Sequence, residues 1–142
     1  MQGCYFEDLS VGQFAETTKI VGAADIEAFA AVSGDNNPVH LDEAYALTTP
    51  FQGRIAHGML SGAYISAMLG TRLPGPGAIY LSQSLRFRRP VKIGDPVVTR
   101  VTVQALDERR AHVTLATVCQ VDGKTVVDGE AVVMAPRRPK DA

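Results

Sequence analysis

Residues 55–71 read IAHGMLSGAYISAMLGT, a stretch without a formal charge between Arg54 and Arg72. It is shorter than the roughly 20 apolar residues of a membrane span, and it carries a histidine, two serines and three glycines. A helix with no charge on any face marks a core helix that other elements cover. The spacing predicts a helix from His57 or Gly58 to about Arg72, broken by LPGPG at residues 73–77. At 1.5 Å per residue it would be about 22 Å long.

The cover for that helix lies downstream, where the sequence beyond Gly77 alternates. Ile79, Leu81, Leu85 and Phe87 share one face of AIYLSQSLRF, opposite Tyr80, Ser82, Ser84 and Arg86. Val97, Thr99, Val101 and Val103 alternate with Val98, Arg100, Thr102 and Gln104. Val113, Leu115 and Cys119 repeat the pattern, as do Ala131 and Val133 against Glu130 and Val132. RPVKIGDP, ALDERR and VDGK punctuate these strands, the last with an Asp-Gly hairpin signal. The opening third reads as irregular, then helical. Ile26, Phe29 and Ala30 fall at helical spacing in AADIEAFAAV, Asp25 and Glu27 suit the first turn, and Gly34 suits a left-handed stop. Helices first and antiparallel strands after predict an α+β domain, its sheet covered by the long apolar helix.

The chain has 142 residues, the size of one domain, read here as residues 1–142 with a frayed tail at 136–142. A formal charge of −1 gives no electrostatic reason to expect nucleic acid or an anionic membrane as partner. Cys4 and Cys119 are too few for a disulfide framework, and no signal peptide precedes them, so a cytoplasmic location is expected. No cluster has metal-ligand spacing, and no glycine loop resembles a nucleotide cradle.

The polar stretch SGDNNPVHLD, residues 33–42, follows the first helix directly. Pro38 excludes helix here and pushes Asn37 toward an extended shape. Such a bend aims Asp35 and His40 into one space, a pair suited to proton transfer, or it is an ordinary helix-stop Asp and loop His. GRIAHGML follows at residues 53–60, where the backbone N–H groups at a helix start offer a seat for a negatively charged oxygen. Acid and base groups beside an oxyanion donor suit chemistry next to a carbonyl.

The stretch from Ser33 to Leu60, with D-x-N-P-x-H and then His-Gly-Met, resembles the MaoC-like hydratases, the R-specific enoyl-CoA hydratases of the hot-dog fold. The likeness continues through YLSQSLRFRRPVKIGD and GEAVV and so covers nearly the whole chain. It implies that Asp35 and His40 are the catalytic pair, with Asn37 in their loop. It also implies an oxyanion-hole amide at Gly58 and a serine, Ser66, hydrogen-bonding near Asp35. The expected reaction is reversible syn addition of water to a trans-2-enoyl-CoA, giving the (R)-3-hydroxyacyl-CoA. The alternative is dehydration of (R)-3-hydroxyacyl chains on acyl carrier protein or in a specialised pathway. The acyl-CoA thioester is the partner, no cofactor is required beyond the coenzyme A of the substrate, and a homodimer is typical.

Other positions remain open between two readings. His57 is a residue behind the site, or a structural histidine that fixes the turn. Ser66 is either the serine near Asp35 or one bonded back to its own helix near Gly62. Gln83 interrupts an apolar strand face, either at an acyl tunnel or as a satisfied buried amide. Arg86, Arg88, Arg89 and Lys92 form a basic cluster, for coenzyme A phosphates or as a solvated strand edge. A dehydratase with its carboxylate on the central helix is disfavoured, because no Asp or Glu occurs between Glu43 and Asp95.

Overall fold

The computed structural model describes residues 1–140. Strand β1 (Phe14–Ile20) leads into helix α1 (Ala23–Ser33), two short helices α2 (Pro38–Leu41) and α3 (Glu43–Leu47), and the long helix α4 (Gly58–Thr71). Strands β2 (Ile79–Gln83), β3 (Arg86–Phe87), β4 (Pro96–Asp107), β5 (His112–Val121) and β6 (Lys124–Met134) follow. They form one antiparallel sheet in the order β1-β4-β5-β6-β2, with β3 also paired to β6. Helix α4 packs chiefly on β4 and also touches β1, β5 and β6. This is the helix-in-sheet hot-dog arrangement. No helix among the described residues is long and apolar enough to cross a membrane.

The alternation in β4 and β5 is realised side chain by side chain. Val97, Val101, Val113, Leu115 and Cys119 are wholly buried, as are Ile26 of α1 and Ile65 of α4. Each large apolar side chain so buried contributes about 1.5–3 kcal/mol. Helix α1 starts after Gly22 and stops at Gly34, whose φ of 80° only glycine adopts without strain.

Five expectations are corrected. The opening third is not irregular, because Phe14–Ile20 forms an edge strand along β4, from Phe14↔Thr102 to Ile20↔Pro96. Its residues are mostly exposed, so no in/out alternation marks it. Pro38 does not exclude helix but begins one. It sits at the first position of α2, where its missing N–H costs nothing, behind Asn37 as cap. The run at residues 78–87 is not one strand with one apolar face. A register shift between Tyr80 and Ser82 and the break after Gln83 interrupt it, and Ile79, Leu81 and Phe87 are exposed. Nor is α4 covered all round, for Met59, Ala63, Ser66, Ala67 and Gly70 are exposed. Finally, the tail is not frayed through Arg138. The Phe6 N–H donates to Pro136 O at 2.7 Å, the Arg138 N–H donates to Glu7 Oε1 at 2.7 Å, and Arg138 pairs with Asp8. The remainder of the expected tail from residue 141 lies outside the described residues.

Candidate active site

Helix α2 carries His40 into the protein because Asn37 caps it, accepting the Val39 N–H on Oδ1 at 3.1 Å. His40 is buried, and its Nδ1 lies 2.8 Å from the carbonyl oxygen of Ile55. A carbonyl only accepts, so Nδ1 carries a proton, and in the neutral ring Nε2 keeps its lone pair. The Arg54 Nε–H donates to His40 O at 2.7 Å and holds the same turn from the backbone side.

Asp35 follows the Gly34 stop and is exposed. Its backbone N–H donates to Ser33 Oγ at 3.1 Å, and its Oδ1 accepts from the Asn37 N–H at 3.4 Å. A carboxylate oxygen of Asp35 and ring nitrogens of His40 and His57 all lie within 4.8 Å of one another. One water bonded to two groups spans about 4.6 Å, from two hydrogen bonds of about 2.8 Å at a tetrahedral angle. A separation up to that limit admits one water between carboxylate and imidazole.

The same three residues are the one group among the described residues spaced for a metal ion, which the sequence spacing does not suggest. The rings of His40 and His57 are stacked, with centroids 3.9 Å apart and planes 27° apart. In-plane lone pairs on near-parallel rings run side by side and do not converge, a poor fit to tetrahedral ligation.

Gly58 is the first residue of α4, ahead of the helical ladder, and its N–H has no protein acceptor among the described residues. A Cβ added at Gly58 would lie 2.6 Å from Phe87 Cδ1, so the glycine lets the aromatic ring lie against the backbone. Asp35, His40, His57, Gly58 and Phe87 line a single cleft of about 490 Å³, completed by apolar side chains that include Phe51, Met59, Val91 and Val127.

Several sequence-nominated residues fall elsewhere. Asn37 caps α2 and is not among the residues lining the cleft. Ser66 is exposed on α4, does not line the cleft, and makes no side-chain hydrogen bond among the described residues, so neither of its two readings is realised within this chain. Gln83 is a satisfied amide. Its Nε2 donates to Ser84 O at 2.8 Å and to Thr117 Oγ1 at 3.0 Å, and its Oε1 accepts from Tyr80, all away from the cleft. Of the basic cluster, Arg88 and Arg89 reach the cleft, whereas Arg86 and Lys92 do not. Arg54, Ile55 and Phe87 went unnoticed as site residues. Two of them act through backbone atoms or on them, which leave no residue-type signature, and Phe87 reads as one more inward strand residue.

A buried, tautomer-locked histidine, a carboxylate and a free helix-start amide on the hot-dog fold form an arrangement that can carry out acid–base chemistry beside a carbonyl. The chain belongs to the MaoC-like domain family, whose model matches residues 10–130. It is 56% identical to the (R)-specific enoyl-CoA hydratase of Rhodospirillum rubrum, over 94% of this chain and 93% of that protein. Among solved structures it resembles the unliganded R-hydratase PhaJ1 from Pseudomonas aeruginosa, with a TM-score of 0.92 and 52% identity, covering 99% of this chain and 92% of that one. It also resembles the (R)-hydratase from A. caviae involved in PHA biosynthesis, with a TM-score of 0.89 and 50% identity, covering 92% of this chain and 99% of that one.

Proposed function

We propose that this protein is an (R)-specific enoyl-CoA hydratase, adding water reversibly to trans-2-enoyl-CoA to give (R)-3-hydroxyacyl-CoA. The observation that carries the reading is the lock from His40 Nδ1 to Ile55 O, which leaves Nε2 as the free base of a ring that has a nitrogen within 4.8 Å of an Asp35 carboxylate oxygen. Water held between them attacks the β-carbon, and the pair takes the proton that the water loses. The C=C electrons shift toward the thioester, and its oxygen gathers charge against the Gly58 N–H. The pair then returns the proton to the α-carbon from the same face, so addition is syn. Addition and elimination share one transition state, so the same residues dehydrate the 3-hydroxyacyl thioester.

The step is redox-neutral, and coenzyme A enters only as part of the substrate. Arg89, at the cleft and without an ion pair among the described residues, is placed to meet its phosphates, whereas Arg88 is engaged by Asp128 at 2.8 Å. A homodimer would cover what one chain leaves bare. Ile79, Tyr80 and Leu81 on the outer strand β2 are 53%, 42% and 45% exposed, and the uncharged face of α4 around Ser66 is open.

The test is to mix the protein with crotonyl-CoA, and separately with crotonyl-acyl carrier protein, and follow loss of the enoyl-thioester absorbance. Faster turnover of the CoA thioester supports the reading, and preference for the carrier protein favours the dehydratase alternative. No turnover of either by folded protein rejects short-chain hydration.

A further inference from the structure

His57 touches every working part of the cleft. Its Nε2 lies 2.8 Å from the carbonyl oxygen of Asp35, so this nitrogen carries the proton. Its ring stacks on His40 with centroids 3.9 Å apart, and Phe29 of α1 packs on it at 5.0 Å. It is also the residue that precedes Gly58 at the start of α4.

Two further facts separate this arrangement from ordinary packing. His57 is 3% exposed, yet its Nδ1 is buried with no hydrogen-bond partner among the described residues. A residue needed only to fill this space would be better served by phenylalanine, which leaves no buried acceptor unpaired. In addition, residues 34–36 are exposed and are otherwise bonded only to near neighbours in the chain. Among the described residues the bond from His57 is their one hydrogen bond to a distant part of the fold.

We infer that His57 is a positioning residue. Its neutral ring, protonated on Nε2, tethers the Asp35 backbone and backs the His40 ring, so carboxylate, base and Gly58 amide keep one spacing. The inference rests on the hydratase reading above for its reaction, but the tether is a property of the free protein. The two rings are accordingly protonated at opposite nitrogens, His40 on Nδ1 and His57 on Nε2.

Two variants of the full chain test it against a pure packing role. His57→Phe keeps an aromatic ring and deletes the donor, while His57→Gln loses the ring and keeps an N–H that reaches a carbonyl. Positioning predicts that His57→Phe lowers kcat for crotonyl-CoA roughly 10²-fold with KM changed less than about threefold. It predicts that His57→Gln recovers at least about tenfold of that loss. Packing alone predicts the reverse order, and that order overturns the proposal. ¹⁵N NMR of the imidazoles of the wild-type protein, which needs neither substrate nor variant, supplies the second readout. A neutral His57 protonated on Nδ1 overturns the tether whatever the variants do. An inert wild type with the two expected tautomers counts against the hydratase reading and for the tether.

Discussion

The Nδ1–H of His40 donates to the carbonyl oxygen of Ile55 at 2.8 Å, which leaves Nε2 as the ring nitrogen free to serve as the proposed base. His40→Ala removes base, lock and stack together. It should lower kcat by about 10²–10⁴-fold and cost about 1–3 kcal/mol, since the Ile55 carbonyl loses its donor. Asp35→Asn should lower kcat comparably, while the exposed position keeps its stability within about 0.5 kcal/mol of wild type. Crotonyl-CoA kinetics beside urea titrations read both quantities, and equal destabilisation by the two changes would contradict the assignment.

Gly58 and Phe87 should behave as one unit. Gly58→Ala places a methyl 2.6 Å from Phe87 Cδ1, forcing apart the ring and the amide proposed to face the thioester oxygen. The loss in kcat should approach the roughly 10²–10³-fold typical of a missing oxyanion donor. Phe87→Ala opens the space, so Gly58→Ala/Phe87→Ala should recover part of it, with a coupling of about 0.5–3 kcal/mol in a double-mutant cycle. Additive losses would show that the ring is not what makes glycine necessary.

Arg88 and Arg89 are adjacent but not equivalent. Arg88 is held by Asp128, and Arg89 is unpaired among the described residues. Arg89→Ala should raise KM for crotonyl-CoA about two- to fivefold at low salt, with the difference shrinking at high salt. It should leave crotonyl-pantetheine, which lacks the nucleotide phosphates, unaffected. Arg88→Ala should shift KM less, and the opposite ranking would move the phosphate contact to Arg88.

Tyr64 of α4 buries a hydroxyl with no partner among the described residues. Burial foremost, with Asp25 and Cys119 nearby, pushes its pKa from 10.0 up to about 12. The unfolded chain therefore gives up this proton first, so stability is intact below pH 10, falls as pH rises, and levels off beyond about 12. Tyr64→Phe should be neutral or stabilising by up to about 1 kcal/mol at pH 7 and should flatten that alkaline decline. Thermal melts from pH 7 to 11 read both, and a clearly destabilised Tyr64→Phe would point to an unseen partner for the hydroxyl.

What was legible in the sequence was what side-chain type encodes. The α4 helix declared itself by the missing charges, and β4 and β5 by alternation over a buried face. Asp35, His40 and Gly58 stood out as polar or flexible residues beside helix ends. The edge strand β1 stayed hidden because both its faces meet solvent, and α2 because Pro38 reads as a breaker until Asn37 is seen to cap it. The tautomer lock, the His57 tether and the hold of Arg54 on α2 all run to backbone carbonyls, which every residue type supplies alike. Gln83 and Ser66 show the converse, since a polar residue in an apolar run finds its partner in Thr117 or faces outward.

In the proposed reaction one acid–base pair on one face of the substrate adds both parts of water. Hydration of crotonyl-CoA in deuterium oxide, with the product resolved by chirality and by NMR, tests it most directly. A single product is expected, (R)-3-hydroxybutyryl-CoA with deuterium on the α-carbon syn to the new hydroxyl. The (S) product, or deuterium distributed over both faces, would contradict it.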